Sequence, residues 1–238
     1  MDLSSAAFWA GLGSIIIANI LLSGDNAVVI ALAARSLPAH QQKKAILFGS
    51  GAAIVLRILL TVVAAAMLRL PFLKIIGGLL LLYIGVDLLG GDDDGEGEVG
   101  KENGSMGSAI RTILVADLVM SLDNVLAVAA AAKGDTTLLV LGLAISIPLI
   151  VFGSTLLLGV MQRFPVIITL GAALLGFLAG EMVMTDPAVT ERWGDLPHIW
   201  ANVAGVVGAL LVVAVGRWRQ ARQARQSETS DQAAAPSA

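Results

Sequence analysis

No cysteine occurs in the 238-residue chain, and this excludes disulfides, thiolate metal ligands and thiol catalysis. Imidazole is nearly as scarce: the two histidines, His40 and His198, fall in polar connections between apolar runs. Charge is thin as well, at 14% of residues against 57% hydrophobic, less than the surface of a soluble domain needs. There is no GxxxxGK[ST] loop with which to use a nucleotide. The formal net charge of −3 says little about partners by itself, and no nucleic acid is expected as one.

What the chain does have is apolar length. Seven runs fit membrane-spanning helices: Phe8 to Ala34, Lys44 to Leu68, Pro71 to Leu89, Ala109 to Ala132, Thr137 to Met161, Pro165 to Thr185, and Ile199 to Gly216. The expected fold class is therefore an all-α polytopic membrane protein with seven transmembrane helices, each satisfying its own backbone hydrogen bonds. No basic segment precedes the first run, which is expected to stay in the mature protein as a span. Basic residues set the orientation. With the N-terminus outside, Arg35, Lys43, Lys44, Lys101, Arg111, Arg163, Arg217, Arg219, Arg222 and Arg225 face inward, and only Arg69, Lys133 and Arg192 face outward. The chain reads as N-out and C-in, within a bacterial inner (plasma) membrane.

The first run contains "NILLSGDNAVVIA", in which Asp25 has no cation beside it in sequence. Shifted by 98 residues, this stretch falls on "DLVMSLDNVLAVA" of the fourth run, so that Asn19 meets Asp117, Ser23 meets Ser121, Asp25 meets Asp123 and Asn26 meets Asn124. The likeness continues at slightly smaller shifts: Gly49 on Gly142 by 93, then Pro71 on Pro165, Gly77 on Gly171 and Asp87 on Glu181 by 94. Each copy holds three spans. Because three is odd, the second copy crosses in the opposite sense, which gives two inverted three-helix repeats plus a seventh helix. The expected division is 1–90 for the first repeat, 91–108 for an acidic Gly-rich cytoplasmic linker and 109–186 for the second repeat. A loop and the seventh helix follow over 187–218, then a basic and finally disordered cytoplasmic tail over 219–238, with order lost after Ser227. The linker "GGDDDGEGEVGKENGSMG" reads as a hydrated hinge rather than a metal-sensing loop.

An aspartate at the centre of a span costs roughly 2.5–3.5 kcal/mol, and here the chain repeats that cost in both halves. Function is the better account of the duplicated Asp-Asn pair. At 100° per residue, Asn19, Ser23 and Asn26 form one polar stripe, and so do Asp117, Ser121 and Asn124. Asp25 and Asp123 point about 100° away from the neighbouring asparagines. Either the first helix unwinds at Ser23-Gly24-Asp25, or the aspartates face another span. Two structural uses compete for some of these groups: Arg57 as an ion-pair partner of Asp25 or Asp87, and the asparagines as ties between helices. Asp87 and Glu181, nearer the ends of their spans, fit an interfacial place as well as a secondary or proton-coupling one.

Carboxylate, amide and hydroxyl oxygens without thiolate or imidazole suit Mn²⁺, Mg²⁺ or Ca²⁺ rather than Zn²⁺ or Cu⁺. Met120 beside Ser121 offers a thioether that would favour manganese, although packing is the better account of it. Outward movement of a dication against an inside-negative potential costs about 4.6 kcal/mol per 100 mV, so an exporter needs coupling. Carboxylates that exchange metal for protons would supply it.

At "LLSGDNAVVIALAARSLP" and "DLVMSLDNVLAVAAAAKGD" the sequence resembles the TerC family of integral membrane proteins, in particular its short YjbE-like branch, over roughly Leu12 to Met184. The resemblance implies a seven-helix divalent metal transporter, most often for manganese efflux, with an acid six residues before each Asp-Asn pair completing the ligand set. Asn19 departs from that acidic form, and Asp117 keeps it. The expected metal residues are thus Asn19, Ser23, Asp25, Asn26, Asp117, Ser121, Asp123 and Asn124, with Asp87, Glu181 and Arg57 as secondary candidates. The protein is expected to be no enzyme, to hold no permanent cofactor, and to deal with a transported cation, protons and the bilayer. Two other classes are compatible with these residues: an intramembrane aspartyl protease built on Asp25 and Asp123, which the duplicated asparagines and the extra acids disfavour, and a non-transporting subunit of a tellurite-resistance or secretion-linked complex with regulatory metal binding.

Overall fold

In a computed structural model of the chain, residues 9–14, 16–17, 24–67, 70–90, 105–131, 136–194 and 197–234 are described. Among them every regular element is a helix. After short helical stretches at residues 9–14 and 16–17 come α1 (Gly24–Ala34), α2 (Ala39–Met67), α3 (Leu73–Gly90), α4 (Met106–Ala131), α5 (Thr136–Arg163), α6 (Val166–Met184), α7 (Pro187–Trp193) and α8 (His198–Ala234). Four of the described helices, within α3, α5, α6 and α8, are long and apolar enough to cross a membrane, and α1 is a shorter apolar helix. The protein is an all-α integral membrane protein. Its outward-facing residues agree with a lipid solvent: Ile76, Phe152, Leu170 and Leu210 are exposed on four different helices.

Helix α1 is the central element. Ala31, Leu32, Ala33 and Ala34 are all buried, and α1 packs against α2, α4, α5 and α6. Around it the helices lie in defined directions. Gly49 of α2 faces Ile113 of α4, and Arg57 faces Asp117 and Ser121, so α2 and α4 run parallel. Gly78 and Gly85 of α3 face Ala179 and Ala172 of α6, so that pair is antiparallel.

The most extensive interface joins α6 and α8. It is built from glycine. A methyl group at Gly176 or Gly180 would collide with the backbone carbonyls of Gly208 or Ala204, and one at Gly208 with the carbonyl of Gly176. Small residues four apart let two helices approach until their backbones touch, which replaces the hydrophobic driving force that lipid does not provide.

Helix α3 is tied at both ends. At its start, Asp186 Oδ1 accepts the Phe72 N–H at 2.9 Å, and Oδ2 accepts those of Lys74 at 2.9 Å and Ile75 at 3.2 Å. The same carboxylate caps α7 by accepting Ala188 N–H at 2.7 Å. Phe72 is the only non-glycine residue with positive φ among those described, at 68°, a conformation this capping holds in place. Burial of Asp186 acts to raise its pKa, but the bonds from Phe72, Ala188, Ile75 and Lys74 outweigh it and hold the carboxyl below its ordinary value. At the other end of α3, Arg35 Nη2 donates to Leu88 O at 2.6 Å and Gln220 Nε2 to Leu89 O at 2.5 Å.

Described helices lie over parts of the expected runs with shifted ends, α2 beginning five residues earlier, at Ala39 instead of Lys44. Helix α8 continues beyond the expected seventh span, to Ala234. Between Gly216 and Pro236 the chain has no glycine or proline and is rich in Ala, Arg and Gln, all good helix formers.

Candidate metal site

Arg57 is the largest fully buried side chain of the described residues, 1% exposed in the middle of α2. Its Nη2 donates to Asp117 Oδ1 at 2.5 Å, and its Nε donates to Ser121 Oγ at 2.9 Å. Ser121 Oγ donates in turn to Asp117 Oδ2 at 3.2 Å. The i, i+4 spacing of Asp117 and Ser121 stacks them on one face of α4, and the parallel run of α2 brings Arg57 between them. A buried charge pair is tolerable when its charges cancel and its remaining lone pairs and protons find partners, and this ring meets both conditions. Arg57 thus pairs with Asp117, a partner the sequence reading did not name, because α2 lies along α4.

Asp25 stands in the first described turn of α1, where its Oδ1 accepts the backbone N–H of Asn26 at 2.8 Å. Helix α1, which carries Asp25, packs against both α2 and α4, which carry Arg57 and Asp117. Asn26 is 2% exposed, and neither its Oδ1 nor its Nδ2 has a hydrogen-bond partner among the described residues. Leaving such a buried amide unsatisfied costs about 1–3 kcal/mol, so apolar packing does not account for its presence.

Two hydroxyls missed by the sequence reading belong to the same class. Ser50 of α2 and Ser154 of α5 are buried without partners. Helical serines ordinarily bond back to the preceding turn, as Ser146 does to Gly142 O and Thr155 to Val151 O. Ser154 follows Gly153, which lies against Ala27, the neighbour of Asn26. A lone serine in an apolar run was the available signal, and it is a weak one.

The other expected residues divide as follows. Asp123 and Asn124 are placed on α4 with side chains outside the described set, and Asn19 and Ser23 lie outside the described residues. Met120 is buried in the apolar core. Asp87 lies ten residues beyond Gly77, which packs on Val119 of α4, and so is roughly 15 Å further along α3. Glu181 is in the last turn of α6, where its carbonyl accepts the Thr185 N–H and hydroxyl. Among the described residues, no three Asp, Glu, His or Cys side chains converge in a way that would hold a metal ion.

The family model for the integral membrane protein TerC family matches residues 4–224. The chain belongs to the TerC family. This TerC protein is 45% identical over 168 residues to the uncharacterized membrane protein YjbE of Bacillus subtilis, covering 71% of this chain and 76% of that one. It is 25% identical over 232 residues to the uncharacterized membrane protein YceF of the same organism, covering 93% and 88%. A shorter match, 29% over 143 residues, covers 52% of the TerC chain and 27% of the UPF0053 inner membrane protein YoaE of Escherichia coli. No solved structure matches.

Proposed function

We propose that this TerC protein exports a divalent metal cation, Mn²⁺ by preference, across a bacterial inner membrane in exchange for protons, and that it is a transporter and not an enzyme. The observation that carries the reading is the set of buried polar groups on neighbouring helices: Asp117 and Ser121 of α4 joined to Arg57 of α2, and Asn26 of α1, next to Asp25, buried without a partner among the described residues. Protein interiors do not keep such a group for stability. An all-oxygen set of this kind suits a hard or borderline dication. By the repeat, Asp123 and Asn124 of the fourth span would complete the site from the second half, together with Asn19 and Ser23.

The inverted-repeat model agrees with the packing at several points. Gly77 of α3 packs on Val119 of α4, and its counterpart by repeat, Gly171 of α6, packs on Val28 and Leu32 of α1, so each third span meets the Asp-Asn span of the other half. Parallel α2 and α4 beside antiparallel α3 and α6 are the directions that seven alternating spans require.

The test uses inside-out membrane vesicles loaded with the full-length protein. An imposed pH gradient, inside acidic, should drive Mn²⁺ uptake, and added Mn²⁺ should release protons. Asp25→Asn and Asp123→Asn should each abolish the flux while the protein still accumulates in the membrane. Flux that follows voltage alone, or that survives in both variants, overturns the reading. Unchanged cellular manganese in cells lacking the protein would favour a non-transporting subunit.

A further inference from the structure

Asn26 of α1 and Ser154 of α5 are both buried without a hydrogen-bond partner among the described residues, and they flank one helix–helix contact. Gly153 lies against Ala27, so Ser154 stands one position after the contact on α5 and Asn26 one position before it on α1. The two helices run parallel, because each is antiparallel to α6. Helix α5 turns back into α6 through Phe164 and Pro165; α1 ends where Arg35 reaches Leu88 O near the end of α3, and α3 is antiparallel to α6. In a parallel pair, the position before a contact on one helix and the position after it on the other turn by about 100° to the same side. Asn26 and Ser154 thus lie on one side of the α1–α5 seam, about 3 Å apart in depth.

Among the described residues, α2 and α6 are the helices that pack against both α1 and α5. Gly171 of α6 packs on Val28 and Leu32, which puts α6 on the side of α1 away from Asn26. That leaves α2 to cover the Asn26 side, and α2 carries Ser50, the third buried polar residue without a partner. Ser50 lies about 16 Å along α2 from the turn that joins it to α1, and Asn26 about 12 Å from the same turn along α1. Three unsatisfied polar groups from three mutually packed helices are brought to one depth, while Ser146 on the same α5 takes the ordinary course and donates to Gly142 O.

We propose that the hydroxyls of Ser50 and Ser154, with the amide oxygen of Asn26, are neutral oxygen ligands of the transported cation, so that the site draws on α2 and α5 as well as on the Asp-Asn spans. The proposal rests on the reading of the protein as a divalent cation transporter and names ligands from two further helices. Hydroxyl and amide oxygens replace the water of a hard or borderline dication without adding charge, and they hold back soft ions that want sulfur.

The native chain has no cysteine, so a single introduced thiol reports on its own position. The experiment is competition between Mn²⁺ and Cd²⁺ for the purified full-length protein in detergent, with Mn²⁺ followed by its paramagnetic resonance. Ser50→Cys and Ser154→Cys exchange a hydroxyl for a soft ligand, and in each the affinity for Cd²⁺ relative to Mn²⁺ should rise at least about tenfold. Ser146→Cys, equally buried on α5, should leave the ratio within about threefold of the unmodified protein.

An unmoved ratio at Ser50 or at Ser154, as a pocket holding only water would give, overturns the proposal. So does an equal rise in Ser146→Cys, which would make the effect one of any buried thiol. If a cysteine variant fails to fold, the alanine variant at that position carries the test: its melting temperature should be unchanged or higher, since no partner is stranded, and its Mn²⁺ affinity lower by at least about fivefold. Unchanged Mn²⁺ affinity there sinks the idea. Absence of Mn²⁺ binding by the unmodified protein would instead defeat the transporter reading, whereas binding lost in Asp25→Asn but untouched in the serine variants would defeat this proposal alone.

Discussion

Asp186 and Phe72, 114 residues apart, are joined by a hydrogen bond from the Phe72 amide to Asp186 Oδ1 at 2.9 Å. The same carboxylate also receives Lys74, Ile75 and Ala188 and is fully buried, so its removal strands several backbone donors at once. Asp186→Ala should lower stability by about 3 kcal/mol, as read from thermal unfolding in detergent, and Asp186→Asn by less because one acceptor oxygen remains. A melting point unchanged in both variants would show that the bonds contribute nothing net.

The depressed pKa of Asp186 has a pH signature. Its stabilising contribution is complete above the unfolded carboxyl value, about 3.9, and is lost as pH falls through the lower folded value. The difference in melting temperature between the parent protein and Asp186→Asn should therefore be constant at neutral pH and shrink in acid below about pH 4. A difference that widens on acidification would contradict the sign.

Packing of α6 on α8 has an internal control. Gly180→Ala and Gly208→Ala force a methyl group into the facing backbone and should each cost about 1–3 kcal/mol. Gly159→Ala meets nothing within 4 Å on α5 and should be neutral or stabilising by about 0.5–1 kcal/mol, since alanine favours a helix interior. Equal effects at the three positions, measured by thermal unfolding, would mean that the close approach is not what holds α8.

Asn26 separates stability from transport. Asn26→Leu removes an unsatisfied buried amide at similar volume and should raise stability by about 1 kcal/mol while Mn²⁺ flux is lost. A less stable variant with normal flux would assign the amide to packing.

Much of this was legible because membrane helices make polar residues conspicuous. Asp25 stood out in an apolar run, and so did the second Asp-Asn pair at Asp123. The partner of Arg57 was not legible, since choosing Asp117 over Asp25 or Asp87 requires knowing that α2 lies alongside α4. Asp186 shows the same limit at the surface. Its capping of α7 ahead of Pro187 was not part of the sequence reading, which took this stretch as a loop. Its bonds to Phe72, Lys74 and Ile75 depend on where the chain returns. The close approach of Gly176 and Gly180 to α8 followed only from the packing.

The two-ended anchoring of α3 gives that helix a mechanical meaning. With an acid on its amino end and an arginine and a glutamine on its carboxyl end, both complementary to the helix dipole, α3 acts as a strut of fixed length between the two faces of the bundle. It cannot slide along its axis without breaking bonds at one end or the other. Any movement of α3 must therefore carry the end of α1, the α6–α7 turn and α8 along with it, so that displacement at one membrane face is delivered to the opposite one.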